Sequence, residues 1–308
     1  MFDRDVVDFA KRQNWVVIEI LHKSEHKKTV ILKIVFNGRT CIAKLYLKAA
    51  PVEIKEAFTI EAEYYSLLSG VAHIPELIQK GDGYLVLEYV EGESILTFAM
   101  NKSIAQKQIL SMASEVEKSI QEFNSIPNIN NRTIGKLEAC RLVLSRFKDL
   151  CLSGPVGTRA SLYKRQQLKC LYYFSLPFIM LALVRHVPKL LSSASMKGRR
   201  YHGDLHMNNF LISEKLAVHL IDFECAKEKP LMFLDLAYSC ATFIAVFKNK
   251  EKVMPVFRRS LDISESSYAS FEWLLDLLVS FALLNPRFSA GAPSKIKLTS
   301  LVKMLLGR

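Results

Sequence analysis

Residues 201–235 read YHGDLHMNNFLISEKLAVHLIDFECAKEKPLMFLD, and three polar side chains stand out in them: Asp204, Asn209 and Asp222. Asp204 and Asn209 lie in a turn-like segment, HGDLHMNN. Phe210, Leu211 and Ile212 follow as a short apolar run, which Ser213, Glu214 and Lys215 break. A second apolar run, from Val218 to Ile221, ends at Asp222. Two short strands joined by a tight turn bring the start of the first and the end of the second to the same end of a hairpin. The pattern therefore gathers a carboxylate, a carboxamide and a second carboxylate around one point. Hard oxygen donors of this kind suit Mg²⁺, which takes few protein ligands and completes its shell with substrate phosphates.

HGDLHMNNFL followed by LIDFE resembles the catalytic loop and metal-binding motif of the protein-kinase-like phosphotransferases. That family carries an Asp, an Asn five residues on, and then an Asp-Phe-Gly-type triplet. Asp204, Asn209 and Asp222-Phe223-Glu224 keep the order and the spacing. The resemblance implies an α+β, bilobal fold, with a small β-rich N-lobe over residues 1–90 and a large helical C-lobe over residues 91–308. It also implies ATP and Mg²⁺, with Asp204 as catalytic base for the acceptor hydroxyl and Asn209 and Asp222 as metal ligands. Phosphoryl transfer needs such a set, because its barrier falls through positioning of the nucleophile and neutralisation of the phosphate charge.

Two stretches upstream carry the same resemblance. Cys41-Ile42-Ala43-Lys44 is similar to the family's Val-Ala-Ile-Lys strand, whose Lys contacts the α- and β-phosphates and pairs with a helix Glu. A Lys inside an apolar strand is costly unless its ammonium finds a partner. The following helix, expected over 52–69, offers Glu61, Glu63 and Glu56. Glu61 is preferred for its distance to Leu68 and to Ile74-Pro75. Residues 84–93, YLVLEYVEGE, are similar to the family hinge, with the Glu88 carbonyl and the Val90 amide on the adenine edge and Leu87 behind the ring. The loop between the first two strands has no glycine, so Lys23, Lys27 and Lys28 stand where most protein kinases place a glycine-rich cover on the phosphates.

The chain has 308 residues, half of them apolar, which suits one or two globular domains. Its N-terminus, Met1-Phe2-Asp3-Arg4-Asp5, is charged from the start and does not read as a signal peptide. Six cysteines are scattered without a C-x-x-C pair, which fits a reducing cytoplasm and argues against a zinc site or a disulfide framework. The net charge is +12, and it is concentrated. Residues 131–200 hold fourteen Lys and Arg against Glu138 and Asp149 alone, so fourteen minus two accounts for all of it. This segment reads as two basic helices, about 134–152 and 162–191, separated by Ser153-Gly154-Pro155-Val156-Gly157 after a break at Asn128–Asn131. No nucleic-acid motif accompanies the charge. An uncharged apolar run from Cys170 to Val184 is shorter than a bilayer span and reads as a core helix or one lying on an anionic membrane. Helices are also expected over 1–14, 94–123, 236–247, 251–260, 266–284 and 295–306.

Three functions compete: a small-molecule or glycan kinase, a protein kinase, and an inactive binding module of the same fold. His206 stands where serine/threonine kinases carry Lys, and HGDLH is similar to the loop of aminoglycoside, choline and lipopolysaccharide-core kinases. Only thirteen positions separate Asp222 from Asp235, too few for a peptide-docking activation segment. Lys44, Asp204, Asn209 and Asp222 are all present, which disfavours an inactive module. A cationic segment leading into the loop disfavours cationic acceptors and attracts anionic ones. The expected substrate is thus a sugar hydroxyl of an anionic glycolipid, the lipopolysaccharide core (heptose or Kdo), at the inner face of the cytoplasmic membrane. The alternative is an aminoglycoside- or choline-type small-molecule kinase.

Overall fold

The computed structural model describes residues 2–24, 28–47, 49–101, 103–126, 135–152, 159–193, 200–226, 232–259, 261 and 263–284. Lys27, the Asn128–Asn131 break, the 153–157 linker and the expected 295–306 helix lie outside them. The chain forms two compact units, residues 1–92 with 211–226, and residues 93–210 with 227–308.

The first unit begins with a helix, α1 (Phe2–Arg12), and continues into β1 (Val16–Ser24), β2 (Thr29–Phe36) and β3 (Arg39–Tyr46). After α2 (Val52–Leu67) come β4 (Leu77–Gly81) and β5 (Tyr84–Glu88). The sheet is antiparallel throughout, in the order β1-β2-β3-β5-β4. Asn37 and Gly38 both take positive φ, 50° and 74°, as a two-residue turn between twisted strands requires. Side chains in β2 and β3 alternate: Val30, Leu32, Ile34, Cys41, Ala43 and Leu45 are buried with Val6 and Ala10 of α1. Parity sends Lys44 to the opposite face of the sheet. β4 had no counterpart in the sequence reading, since LIQKG is short and only half-buried.

The Phe210–Ile212 strand (β7 in chain order) and β8 (Val218–Leu220) form the expected hairpin, closed by Ser213 N–H to the Ala217 carbonyl at 3.0 Å. Residues 211–226, expected with the helical C-lobe, belong with the strand-rich unit. Two bonds explain why: His73 Nδ1 bonds the Val218 carbonyl at 2.8 Å, and Leu220 N–H donates to the His73 carbonyl at 2.7 Å. Gly92 completes the attachment. A Cβ there would lie 2.3 Å from the Ile212 carbonyl oxygen, so only glycine allows the two backbones to meet.

The second unit is helical after a two-residue strand, β6 (Glu93–Ser94). It holds α3 (Ile95–Asn101), α4 (Gln106–Ser125), α5 (Lys136–Leu152), α6 (Arg159–Ser192), α7 (Met232–Phe247), α8 (Lys250–Arg258) and α9 (Glu265–Leu284). The single helix expected over 94–123 is in fact two, α3 and α4. Ser94 caps the first by accepting the Thr97 N–H at 3.1 Å, and Gln108 turns back onto the Ala105 N–H at 3.0 Å to start the second. The core includes Phe123, Val143, Phe147, Ile179, Phe243, Leu274 and Phe281, all fully buried.

Candidate active site

In the strand-rich unit the site is built around Lys44. Its Nζ lies 2.5 Å from Glu61 Oε1 and 3.1 Å from Asp222 Oδ1. Of the three candidate glutamates, Glu61 is the one turned inward, at 2% exposure. Glu63 and Glu56 are exposed. The helical phase decides this, because Glu61, Tyr64 and Tyr65 form the buried stripe of α2. Burial alone would lower the Lys44 pKa, but the Asp222 and Glu61 carboxylates outweigh it and hold the ammonium well above its ordinary value. Burial pushes the Glu61 carboxyl up, and Lys44 opposes it.

Asp222 is presented by a strained turn. Its φ and ψ are 71° and 66°, left-handed values that an Asp tolerates better than most residues. Its N–H donates to Tyr65 Oη at 3.3 Å. A single 3₁₀ turn, Phe223–Cys225, follows, and the fully buried Phe223 packs edge-on against Tyr65 at 5.0 Å and parallel to Tyr64 at 6.3 Å. The same face of α2 therefore orients both Lys44, through Glu61, and Asp222, through Tyr65 and Phe223. Leu87 is buried in β5 opposite Ile42, Glu88 closes that strand opposite Cys41, and Val90 lies two residues beyond.

In the helical unit the loop 202–209 is wired from both sides. Asp235, in the first turn of α7, accepts the His202 N–H at 2.8 Å and the Gly203 N–H at 3.1 Å. Burial raises the Asp235 carboxyl to about 7 while those two N–H groups pull against the rise. Ser239, one turn on, donates to the Leu205 carbonyl at 3.1 Å. Within the loop, His206 N–H and Asn209 Nδ2 both donate to the Asp204 carbonyl, each at 2.8 Å. With its nitrogen engaged as a donor, Asn209 has its amide oxygen to offer as an acceptor.

The Asp204 carboxylate is 28% exposed and meets two donors. His206 Nδ1 accepts the Asn208 N–H at 3.2 Å, so a neutral ring carries its proton on Nε2, which lies 3.5 Å from Asp204 Oδ2. Arg146 Nη1, from α5, donates to Asp204 Oδ1 at 3.4 Å, and the guanidinium lies 5.8 Å from the centroid of the Tyr238 ring. Burial would raise the Asp204 pKa, but His206 and then Arg146 outweigh it and hold the carboxyl below its ordinary value. In the sequence Arg146 is simply one of the basic residues of 131–200. No motif marks it, and 58 positions separate the two residues.

Among the described residues no three His, Cys, Asp or Glu cluster as a closed metal cage would require. Each unit, taken by itself, carries one oxygen donor of the kind a hard cation takes: the Asp222 carboxylate in one and the Asn209 amide oxygen in the other.

A sequence model described as the phosphotransferase enzyme family matches residues 29–251. No curated protein matches the sequence significantly. Among solved structures, spectinomycin phosphotransferase APH(9)-Ia in its AMP-bound complex superposes with a TM-score of 0.56 at 11% identity, covering 98% of each chain. The streptomycin–ATP ternary complex of APH(2″)-IIa gives 0.53 at 13%, covering 99% of this chain and 96% of that one. Aminoglycoside-3′-phosphotransferase of type VIII gives 0.51 at 17%, covering 89% and 98%. At such identities the likeness is one of fold.

Proposed function

We propose, from the premise that this chain belongs to the phosphotransferase enzyme family and is an ATP-dependent phosphotransferase acting on a hydroxyl group, that its acceptor is anionic. The observation that carries this reading is the Arg146 guanidinium bonded to the Asp204 carboxylate. A cation held against the base repels an aminoglycoside or choline and attracts a neighbouring phosphate or carboxylate on the acceptor. The concentration of charge over 131–200 supports the same sign. Within that class the acceptor is a sugar hydroxyl of the lipopolysaccharide core, heptose or Kdo, presented at the inner face of the cytoplasmic membrane.

Lys44, held by Glu61, grips the α- and β-phosphates of ATP, and Leu87, Glu88 and Val90 receive the adenine. Asn209 and Asp222 would hold Mg²⁺, whose charge would offset that of the β- and γ-phosphates. Asp204 orients the acceptor hydroxyl and takes its proton as the phosphoryl group moves in line. His206 and Arg146 keep Asp204 ionised, and Asp235 keeps the loop backbone in place beneath it.

The test is a phosphotransfer assay with Mg²⁺-ATP and three acceptors side by side: core glycolipid, choline and an aminoglycoside. Transfer to the glycolipid is expected. Transfer to the aminoglycoside alone, the activity of the streptomycin- and spectinomycin-binding structural neighbours, overturns the acceptor assignment.

A further inference from the structure

Helix α6 has two apolar faces where a core helix needs one. Its inner face carries Ser175, Ile179, Leu183, Val187 and Leu190, all buried. That face is pinned to α9: His186 bonds Ser270 at 3.0 Å and stacks on Trp273 at 4.5 Å, and Ser267 donates to the Lys189 carbonyl at 3.2 Å. The outer face presents Tyr173, Phe174, Phe178, Met180, Leu181 and Val184. Phe174, Leu181 and Val184 are 63%, 75% and 66% exposed. Spacings of three, four and seven put these side chains in one stripe along the helix. Soluble proteins seldom leave so long an apolar stripe to water without a partner.

The charges around the stripe have one sign. All 34 residues of α6 include no Asp or Glu. Lys164, Arg165 and Lys169 precede the stripe in sequence, and Arg185 and Lys189 follow it, both exposed. Tyr173–Ser192 is long and apolar enough to cross a membrane. A spanning helix, however, would have to give up the polar contacts of His186 and Ser270 on its inner face. A helix lying in the bilayer plane keeps them and buries only the outer stripe.

We propose that the outer face of α6 docks on an anionic lipid bilayer. Phe174, Phe178, Leu181 and Val184 enter the boundary between headgroups and acyl chains, and the exposed Arg185 and Lys189 meet the headgroup phosphates. The inference deepens the glycolipid reading and rests on it only for the presence of a membrane-anchored acceptor.

Co-sedimentation of the full chain with vesicles tests the docking without any acceptor. Vesicles of phosphatidylcholine alone and of phosphatidylcholine with phosphatidylglycerol serve as probes. The wild type is expected to pellet with the anionic vesicles and to bind the neutral ones at least about tenfold more weakly. Phe174→Ser with Leu181→Ser should lower partitioning to anionic vesicles at least about tenfold, since two large apolar side chains leave the boundary. Arg185→Glu with Lys189→Glu should erase the preference for anionic lipid. Unchanged circular dichroism and an unchanged thermal unfolding midpoint show that the variants are folded. The proposal is overturned if the wild type stays in the supernatant or if the serine variant pellets equally well. It is also overturned if the wild type is a dimer that the serine variant dissociates and no vesicle binds, because the stripe is then covered by a second copy. Vesicle docking together with no transfer to glycolipid would sink the acceptor reading and leave the docking intact.

Discussion

In the proposed mechanism, removing the Asp204 carboxylate leaves the acceptor hydroxyl with no group to take its proton. Asp204→Asn should therefore lower turnover roughly 10²- to 10⁴-fold while ATP still binds, read by steady-state kinetics and calorimetry side by side. Near-normal turnover would contradict the role. Asp204 also has a sign on the pH axis. Because His206 and Arg146 hold its carboxyl below the ordinary range, it stays ionised, and able to accept a proton, at lower pH than an unperturbed aspartate would. Arg146→Met removes one of the stabilising charges, so the acid limb of kcat/KM should move to higher pH. A limb that stays in place means the guanidinium does not act on the base. The Asp204, Asn209 and Asp222 spacing was legible in the sequence because those residues lie within nineteen positions of one another. Arg146 was not, since its meeting with Asp204 depends on how α5 packs and no short motif encodes that.

At the scale of elements, α2 ties the strand-rich half of the site together. Its buried stripe pairs Glu61 with Lys44 and stacks Tyr64 and Tyr65 on Phe223. Lys44→Met leaves Glu61 buried as an uncompensated carboxylate and should destabilise the protein by about 3–5 kcal/mol in chemical denaturation. Lys44→Met with Glu61→Leu should recover much of that loss although neither variant transfers phosphate; strictly additive losses would contradict a direct pair. Gly92→Ala drives a methyl into the Ile212 carbonyl and should shift the hairpin that ends at Asp222. Lower thermal stability and a raised KM for Mg²⁺-ATP are expected together, and a variant normal in both would show that the hairpin tolerates displacement. From sequence, one strand of apolar alternation with a lone Lys was enough to find β3. Spacing to Leu68 and Ile74-Pro75 favours Glu61 over Glu63 and Glu56, and the helical phase, set by which side of α2 meets the hairpin, turns Glu61 inward.

For the whole molecule, the concentration of positive charge predicts a salt response. If the basic segment draws in an anionic acceptor, the acceptor KM should rise steadily between about 0.05 and 0.5 M salt, as the Debye length shrinks from about 14 to about 4 Å. The KM for Mg²⁺-ATP should change less, because Lys44, the proposed phosphate contact, is largely buried. Arg141→Glu with Lys148→Glu, both exposed on α5, should flatten the acceptor dependence. A wild-type acceptor KM indifferent to salt means that these charges only solvate a surface. The order of the chain carries one more consequence. The strand-rich unit borrows residues 211–226 from far downstream. A ribosome releasing this polypeptide has threaded out more than two thirds of it before the piece bearing Asp222 appears. Until then β3 and α2 wait with Lys44 and Glu61 lacking their third partner. A protease acting on nascent chains should thus find the first 92 residues vulnerable long after they have left the exit tunnel, and an amino-terminal fragment expressed alone should never acquire the resistance of the finished protein.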